Sequence, residues 1–234
     1  MIVLGFDTAT PATAVALLDE SRPDEAEQRR HEPAPGERPG HTAQLLALAA
    51  ELLDGARLGF ADIDRIAVGL GPGGFTGLRI GVATARALAQ STDAELVGVS
   101  TLRALAAVAE PGAPAGSGVL AVVDARRGEV FAAGWREGVP VIEQLALAPE
   151  QLAQVVSEEG GAWLAAGDGA LRFRTDLEGA GCSVPPDGSA QHGVSARAIC
   201  RLALQKPQGT ARDLVVPDYL RPPDAVPARK KTDS

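Results

Sequence analysis

Aromatic residues make up only 3% of this 234-residue chain, as five Phe, two Trp and one Tyr. Its core must therefore come mostly from Ala, Leu and Val. Cysteine is nearly missing: Cys182 and Cys200 stand in no C-x-x-C arrangement, which excludes a disulfide framework and a zinc ribbon. The three histidines, His31, His41 and His192, have no second His three or four residues away, so no helical His pair can bind a metal. No apolar run approaches the ~20 residues that span a bilayer. The opening "MIVLGFDT" has neither a basic n-region nor a long apolar h-region. These absences lead us to expect a cytoplasmic protein with free thiols and no membrane partner. Basic charge is scarce too: 22 Lys and Arg against 30 Asp and Glu give a net charge of −8. A protein that grips nucleic acid unaided usually presents a basic field to the phosphates, so any such role is expected to be shared with a partner.

The chain is long enough to bury about 70 to 75% of its unfolded surface, as one large domain or two modest lobes. "IVLGF" and "TAVALL" are short β-type runs separated by "DTATPA", a hairpin signature. The charged, Pro-rich "SRPDEAEQRRHEPAPGERPG" predicts an exposed strand or loop. "HTAQLLALAAELLDGA" predicts a helix with Gly55 as its stop, "RIAVGL" a buried strand, residues 76 to 90 a second helix and "ELVGV" another strand. In the second half, "VLAVVDARRGEVFAAGW" repeats the pattern of strand, Asp, turn and strand. Asp124 falls 117 residues after Asp7, half the length of the chain, which suggests a duplicated unit. "APEQLAQVVSEE" and "DGALRFRTDL" read as helices around the strand "AWLAAG", and "SARAICRLALQK" as a last helix. "EPGAPAGSG" reads as a linker between lobes, and "RPPDAVPARKKTDS" as a disordered tail.

The densest signal is "GLGPGGFTGLRIGVATARALAQ", residues 69 to 90. Gly69, Gly71 and Gly74 satisfy G-x-G-x-x-G between a strand and a helix, but a dinucleotide site also needs an acidic residue after the next strand. Here that strand runs into Ser100 and Thr101. A Walker loop fails as well, since no Gly-Lys-Ser/Thr follows. What remains is either a helix N-terminus able to take an anion or glycines chosen for close backbone approach. Asp7 with Thr8 in a β-turn occupies the position where actin-like ATPases and sugar kinases hold phosphate and magnesium; the alternative is an Asp that only shapes its hairpin. "GDGA" (Gly167, Asp168, Gly169, Ala170) could line the same cleft. "GVSTL" around Ser100 lacks the second Gly of a nucleophile elbow. No complete catalytic constellation is present.

With "FDTATPATAVAL", "HTAQLL", "GLGPGGFTGLRIGVATARALA", "GVSTLRALA", "VVDARRGEVFAA", "GDGA" and "PDYLR" in this order, the chain resembles the TsaB (YeaZ) family of the bacterial machinery for threonylcarbamoyladenosine in tRNA. It departs modestly, with Gly74 where Ser is common. The resemblance implies an actin-like ATPase (ASKHA) fold whose lobes are copies of a β-β-β-α-β-α unit. The first lobe would cover residues 1 to 109 and the second 110 to 220, with the helix near 195 to 206 able to pack back on the first, and the tail 221 to 234. It also implies a paralogue of the catalytic subunit TsaD, which carries a metal-binding His-x-x-x-His pair. Here His41 is followed four positions on by Leu45. The implied role is a non-catalytic partner of TsaD, acting with the ATPase TsaE, with no cofactor or metal, with tRNA reached only through the complex, and with a homodimer when alone. Asp7, Thr8, Gly167, Asp168 and Gly169 would then be a vestigial nucleotide cleft, crowded by Arg126 and Arg127.

The partner interface is expected on the two long apolar helices, at His41, Leu45, Leu48, Ala49, Leu52, Phe75, Gly77, Leu78, Gly81 and Ala85. In the second of them Gly77, Gly81, Ala85 and Ala89 recur every four residues. Two readings of other classes stand beside this one: a small-molecule kinase or ATPase of the same fold using Asp7, Asp124 and the Gly167 loop, and a tRNA-binding module relying on "ARKK".

Overall fold

The computed structural model describes residues 1–34 and 36–221; the expected disorder of the tail concerns residues that lie, after Arg221, outside those described. Two five-stranded mixed sheets carry the chain. The first has the order β3-β2-β1-β4-β5, from β1 (Ile2–Asp7), β2 (Thr13–Asp19), β3 (Glu27–His31), β4 (Arg65–Gly69) and β5 (Glu95–Val99). The second has the order β10-β9-β6-β7-β8, from β6 (Gly118–Arg126), β7 (Glu129–Arg136), β8 (Val139–Leu147), β9 (Trp163–Ala166) and β10 (Cys182–Ser183). Read from its other edge, the second sheet repeats the first strand for strand. In each, an antiparallel meander comes first and two parallel strands are then added on the far side of the opening strand. The duplication suggested by Asp7 and Asp124 is thus a repeat of topology.

Seven α-helices, with five single-turn 3-10 helices, complete the described chain: α1 (His41–Ala56), α2 (Phe75–Thr92), α3 (Thr101–Ala109), α4 (Pro149–Glu159), α5 (Asp168–Arg172), α6 (Arg174–Gly179) and α7 (Ala196–Leu204). Strand side chains alternate between the two faces of a sheet, and in β1 that alternation feeds two cores. Leu4 and Phe6 pack outward with Leu45, Leu48, Leu52 and Val82 of α1 and α2. Val3 faces inward, onto the layer that α3 and α7 form between the sheets. α4 and α6 cover the outer face of the second sheet.

The two inner helices are exchanged. α3, from the first half of the chain, packs on β6 and β7; α7, from the second half, packs on β1 and β2. A Cβ on Gly5 would collide with Cys200 Sγ, so glycine there lets α7 lie close on β1. The buried Arg65 anchors the same helix: its Nη1 donates to the carbonyls of Ala203 (2.8 Å) and Lys206 (2.9 Å), while Nε donates to Glu95 (2.8 Å). A guanidinium at a helix C-terminus satisfies carbonyls that have no partner within the helix. Burial pushes the Cys182 and Cys200 thiols up to about 11 and about 12, and both are free.

Several local expectations need correction. α1 runs through Gly55 to Ala56 and stops at Arg57, which is left-handed (φ 58°). "DGALRFRTDL" is two short helices that break at Phe173. Strand β8 is implied by the repeated unit but does not stand out in its own residues, because Pro140 and mostly exposed side chains mark an edge strand. Helix α3 was not anticipated; its start is fixed by Ser100, whose Oγ accepts the Arg103 N–H.

The glycine-rich joint between β4 and α2 lies against the β1–β2 turn. A Cβ on Gly73 would meet the Ala9 carbonyl oxygen, one on Gly77 the Thr8 carbonyl oxygen, and one on Gly81 the Thr8 hydroxyl. Gly71 also has φ 105°, a conformation that side chains disfavour. We expect Gly77→Ala to destabilise the protein by about 1 to 3 kcal/mol, because backbone would have to move. Gly55→Ala, where a Cβ meets nothing within 4 Å, should stabilise it by about 0.5 to 1 kcal/mol. Urea midpoints of the two variants check both signs.

Candidate functional site

Between the sheets lies a cleft of about 530 Å³. Its walls come from the β1–β2 turn (Thr8 to Pro11), the first turns of α1 and α2, the end of β6 (Val123 to Arg126), Asp168 and residues 218–221. Of the five residues expected to mark a nucleotide cleft, Thr8 and Asp168 line it.

Asp7 does not. Its carboxylate is buried behind the turn, where Oδ1 accepts the Ala9 N–H (2.8 Å) and Oδ2 accepts the Thr101 hydroxyl (2.7 Å). Thr101 Oγ1 in turn accepts the Gly71 N–H (3.1 Å). Burial raises the Asp7 pKa, and these bonds oppose it only in part. The hairpin-shaping reading is therefore the one the geometry supports. The Thr8 hydroxyl is spent as well, donating to the Gly77 carbonyl (2.8 Å). Gly167 (φ 120°) packs on the Val122 carbonyl, and Gly169 on the backbone of Val123 and Asp124. Both act as close-approach residues.

The second turn repeats the first in its bonding. Asp124 Oδ1 accepts the Arg126 N–H (2.9 Å), two residues on, as Asp7 does with Ala9. Its Oδ2 pairs with Arg172 (2.8 Å) and Arg126 (3.4 Å). Asp168 accepts the Asp124 N–H (3.0 Å); burial raises its pKa, and the nearby Asp124 charge adds to that. Arg126 lines the cleft, whereas Arg127 is not among its lining residues. A kinase or ATPase reading is not favoured: Asp7 is turned away, and two guanidinium groups neutralise Asp124.

His41 is buried at the start of α1, its Nδ1 2.8 Å from Thr13 Oγ1. Burial lowers its pKa, and His31 adds to that. Among the described residues no group of three or more His, Cys, Asp and Glu could hold a metal ion. Thr13 and Thr101, which hold these buried groups in place, were not singled out in the sequence. The only local sign of Thr101 was its place after a strand and an N-capping Ser.

The expected interface residues need correction. His41, Leu45, Leu48, Ala49, Leu52, Gly77, Leu78, Gly81 and Ala85 are all buried within this chain, and Phe75 is half-buried against Tyr219. α1 and α2 point these side chains at β1, β2 and β4. What they turn outward is a second stripe: Ala43, Leu46, Ala47 and Ala50 on α1, with Ile80, Ala83 and Ala87 on α2. Leu46 is 47% exposed.

The raised Asp7 pKa gives a signed pH effect. The folded protein holds this proton more tightly than the unfolded chain does. Asp7's contribution to stability therefore falls as pH rises from its ordinary 3.8 through the raised folded value. The stability difference between wild type and Asp7→Asn should be more favourable to wild type near pH 4 than near pH 7, as urea unfolding at both values would read.

Residues 37–164 match the family model of TsaD, tRNA N6-adenosine threonylcarbamoyltransferase. The tRNA threonylcarbamoyladenosine biosynthesis protein TsaB of Escherichia coli (strain K12) is 35% identical over 176 residues, 72% of each chain. YeaZ from Pseudomonas aeruginosa superposes with a TM-score of 0.77 at 27% identity, over 94% of this chain and 99% of that one. The ROK hexokinase from Thermus thermophilus, at TM-score 0.53 and 12% identity over 88% and 99%, shares the actin-like fold alone. The repeated sheets, the spent cleft and these likenesses agree: the chain belongs to the TsaB family and has its role in tRNA threonylcarbamoyladenosine biosynthesis.

Proposed function

We propose that this chain serves the tRNA modification as a non-catalytic subunit that pairs with TsaD through the outward faces of α1 and α2, works with TsaE, and meets tRNA only through the complex. The observation that carries the non-catalytic role is the state of the cleft. The carboxylate and hydroxyl of Asp7 and Thr8 are committed to bonds inside the chain, and His41 stands without a second histidine one turn on. Asp7, Thr8, Gly167, Asp168 and Gly169 are then the remnant of a nucleotide cleft, with no cofactor to hold.

The pairing surface rests on chemistry and symmetry. α1 and α2 lie side by side, and their outward stripe is mostly alanine, which lets a facing pair of helices approach closely. The TsaD family model describes the part of this chain that contains both helices, so a TsaD subunit offers a corresponding pair, and so does a second copy of this chain when TsaD is lacking. Two similar surfaces meeting about a twofold axis make a closed dimer.

Leu46→Arg and Ala83→Arg test this. A guanidinium without a partner in a buried interface typically costs about 3 to 5 kcal/mol, so each variant should weaken TsaD binding by about 100-fold or more. Glu150→Arg, on the outer face of the second sheet, should bind as wild type does. Circular dichroism should be unchanged in all three. Normal TsaD binding by well-folded Leu46→Arg and Ala83→Arg overturns the surface. Separately, purified protein alone should make no modified tRNA, with activity appearing on adding TsaD, TsaE and the threonylcarbamoyl-adenylate donor. Turnover by this chain alone overturns the non-catalytic role.

A further inference from the structure

After α7 the chain runs without regular sheet or α-helix along the edge of the first sheet and then crosses to the second. We infer that residues 209–221 form a strap, fixed to the first sheet and detachable from the second, that sets how far the cleft between the sheets is open.

The attachments to the first sheet are buried or made by backbone, except at Tyr219, whose exposed ring adds a side-chain contact. Gly209 lies on Glu95 and Leu96 of β5, and the Thr210 N–H donates to the Leu96 carbonyl (2.7 Å). Val215 is 1% exposed in the core of α1, α2 and β4. The Asp218 N–H donates to the Leu70 carbonyl (2.7 Å), and its own carbonyl sits against Gly71, where a Cβ would come within 3.2 Å. Tyr219 rests on Phe75 at the start of α2, ring centroids 5.1 Å apart, and its hydroxyl accepts Arg79 Nε (3.0 Å).

The attachments to the second sheet are of another kind. Gln144 of β8 donates to Asp218 Oδ2 (3.1 Å). Arg221 donates to Glu129 of β7 (2.5 Å) and to the Ala125 carbonyl (2.8 Å). Apart from the apolar contact of Leu220 with the inner core, these are polar bonds of partly exposed side chains, for which water competes. The cleft is lined on this side by residues 218–221. Loss of the polar set would leave the strap on the first sheet and release its crossing to the second. The inner helices α3 and α7 would remain as the hinge. The inference does not rest on the pairing with TsaD, since every contact named lies within this chain.

Spin labels at Val139→Cys on β8 and Val216→Cys on the strap, both positions exposed, report the separation of the sheets, because Val216 follows the buried Val215. The native thiols are buried and do not compete for the label. In the full chain, double electron–electron resonance should give one narrow distance distribution. Arg221→Ala should broaden it toward longer distances, and Glu129→Gln, which leaves the Ala125 bond intact, should fall between. An Arg221→Ala distribution that superimposes on the unmutated one overturns the inference. If Arg221→Ala does not fold by circular dichroism, Glu129→Gln decides alone: a broadened distribution supports the strap and an unchanged one overturns it.

Discussion

The contact on which most of this structure depends is backbone against backbone. The turn after β1 lies on one face of the β4–α2 joint so closely that Gly73 and Gly77 have no room for a Cβ beside the carbonyls of Ala9 and Thr8. Two hydrogen bonds close the contact, from the Gly74 N–H to the Ala9 carbonyl (2.7 Å) and from the Thr8 hydroxyl to the Gly77 carbonyl (2.8 Å). Polar groups withdrawn from water must be bonded, and here they satisfy one another. Of the six buried polar residues among those described, all but Arg65 gather around this turn: Asp7, Thr8, Thr13, His41 and Thr101. The contact sets the position of α2, and with it one wall of the cleft and one half of the outward stripe.

The same contact explains how a fold shared with a hexokinase can hold a cleft that is poor in chemistry. In a phosphate-binding hairpin the turn must leave donors and carboxylates free to face a ligand. In this chain Asp7 is bonded to Thr101, Thr8 to Gly77, and Asp124 to Arg126 and Arg172. The fold is shared, while in this chain the polar groups of the two turns serve as internal fasteners.

Period and punctuation carried the strands β1, β2, β4, β5, β6, β7 and β9 and the long helices, because each has a buried face that its own residues declare. The edge strand β8 was hidden because burial is what writes alternation into a sequence, and β8 has little. The candidate site was legible in residue types and not in directions. Thr8 and Asp168 line the cleft and Asp7 lies behind it, and nothing in "FDTAT" says that the carboxylate points at Thr101, 94 residues away. The apolar excess of α1 and α2 was real, but a one-dimensional count could not divide it. Gly77, Gly81 and Ala85 are the inward stripe, and the outward one is carried by Ala43, Ala47, Ala83 and Ala87.

The exchange of α3 and α7 between the two repeats has a consequence for how the chain comes to be folded. Among the described elements β1 precedes every other and α7 is the last α-helix, and the part of the inner face of β1 that α7 covers stays bare until α7 arrives. Contacts so far apart in sequence slow folding, because a long loop must close before they form. Each repeat builds an outer core largely of its own, but the inner layer needs both, so the first half of a nascent chain would expose Val3, Ala14 and Ala16 until the second half is made. That dependence couples the two repeats through their shared inner layer.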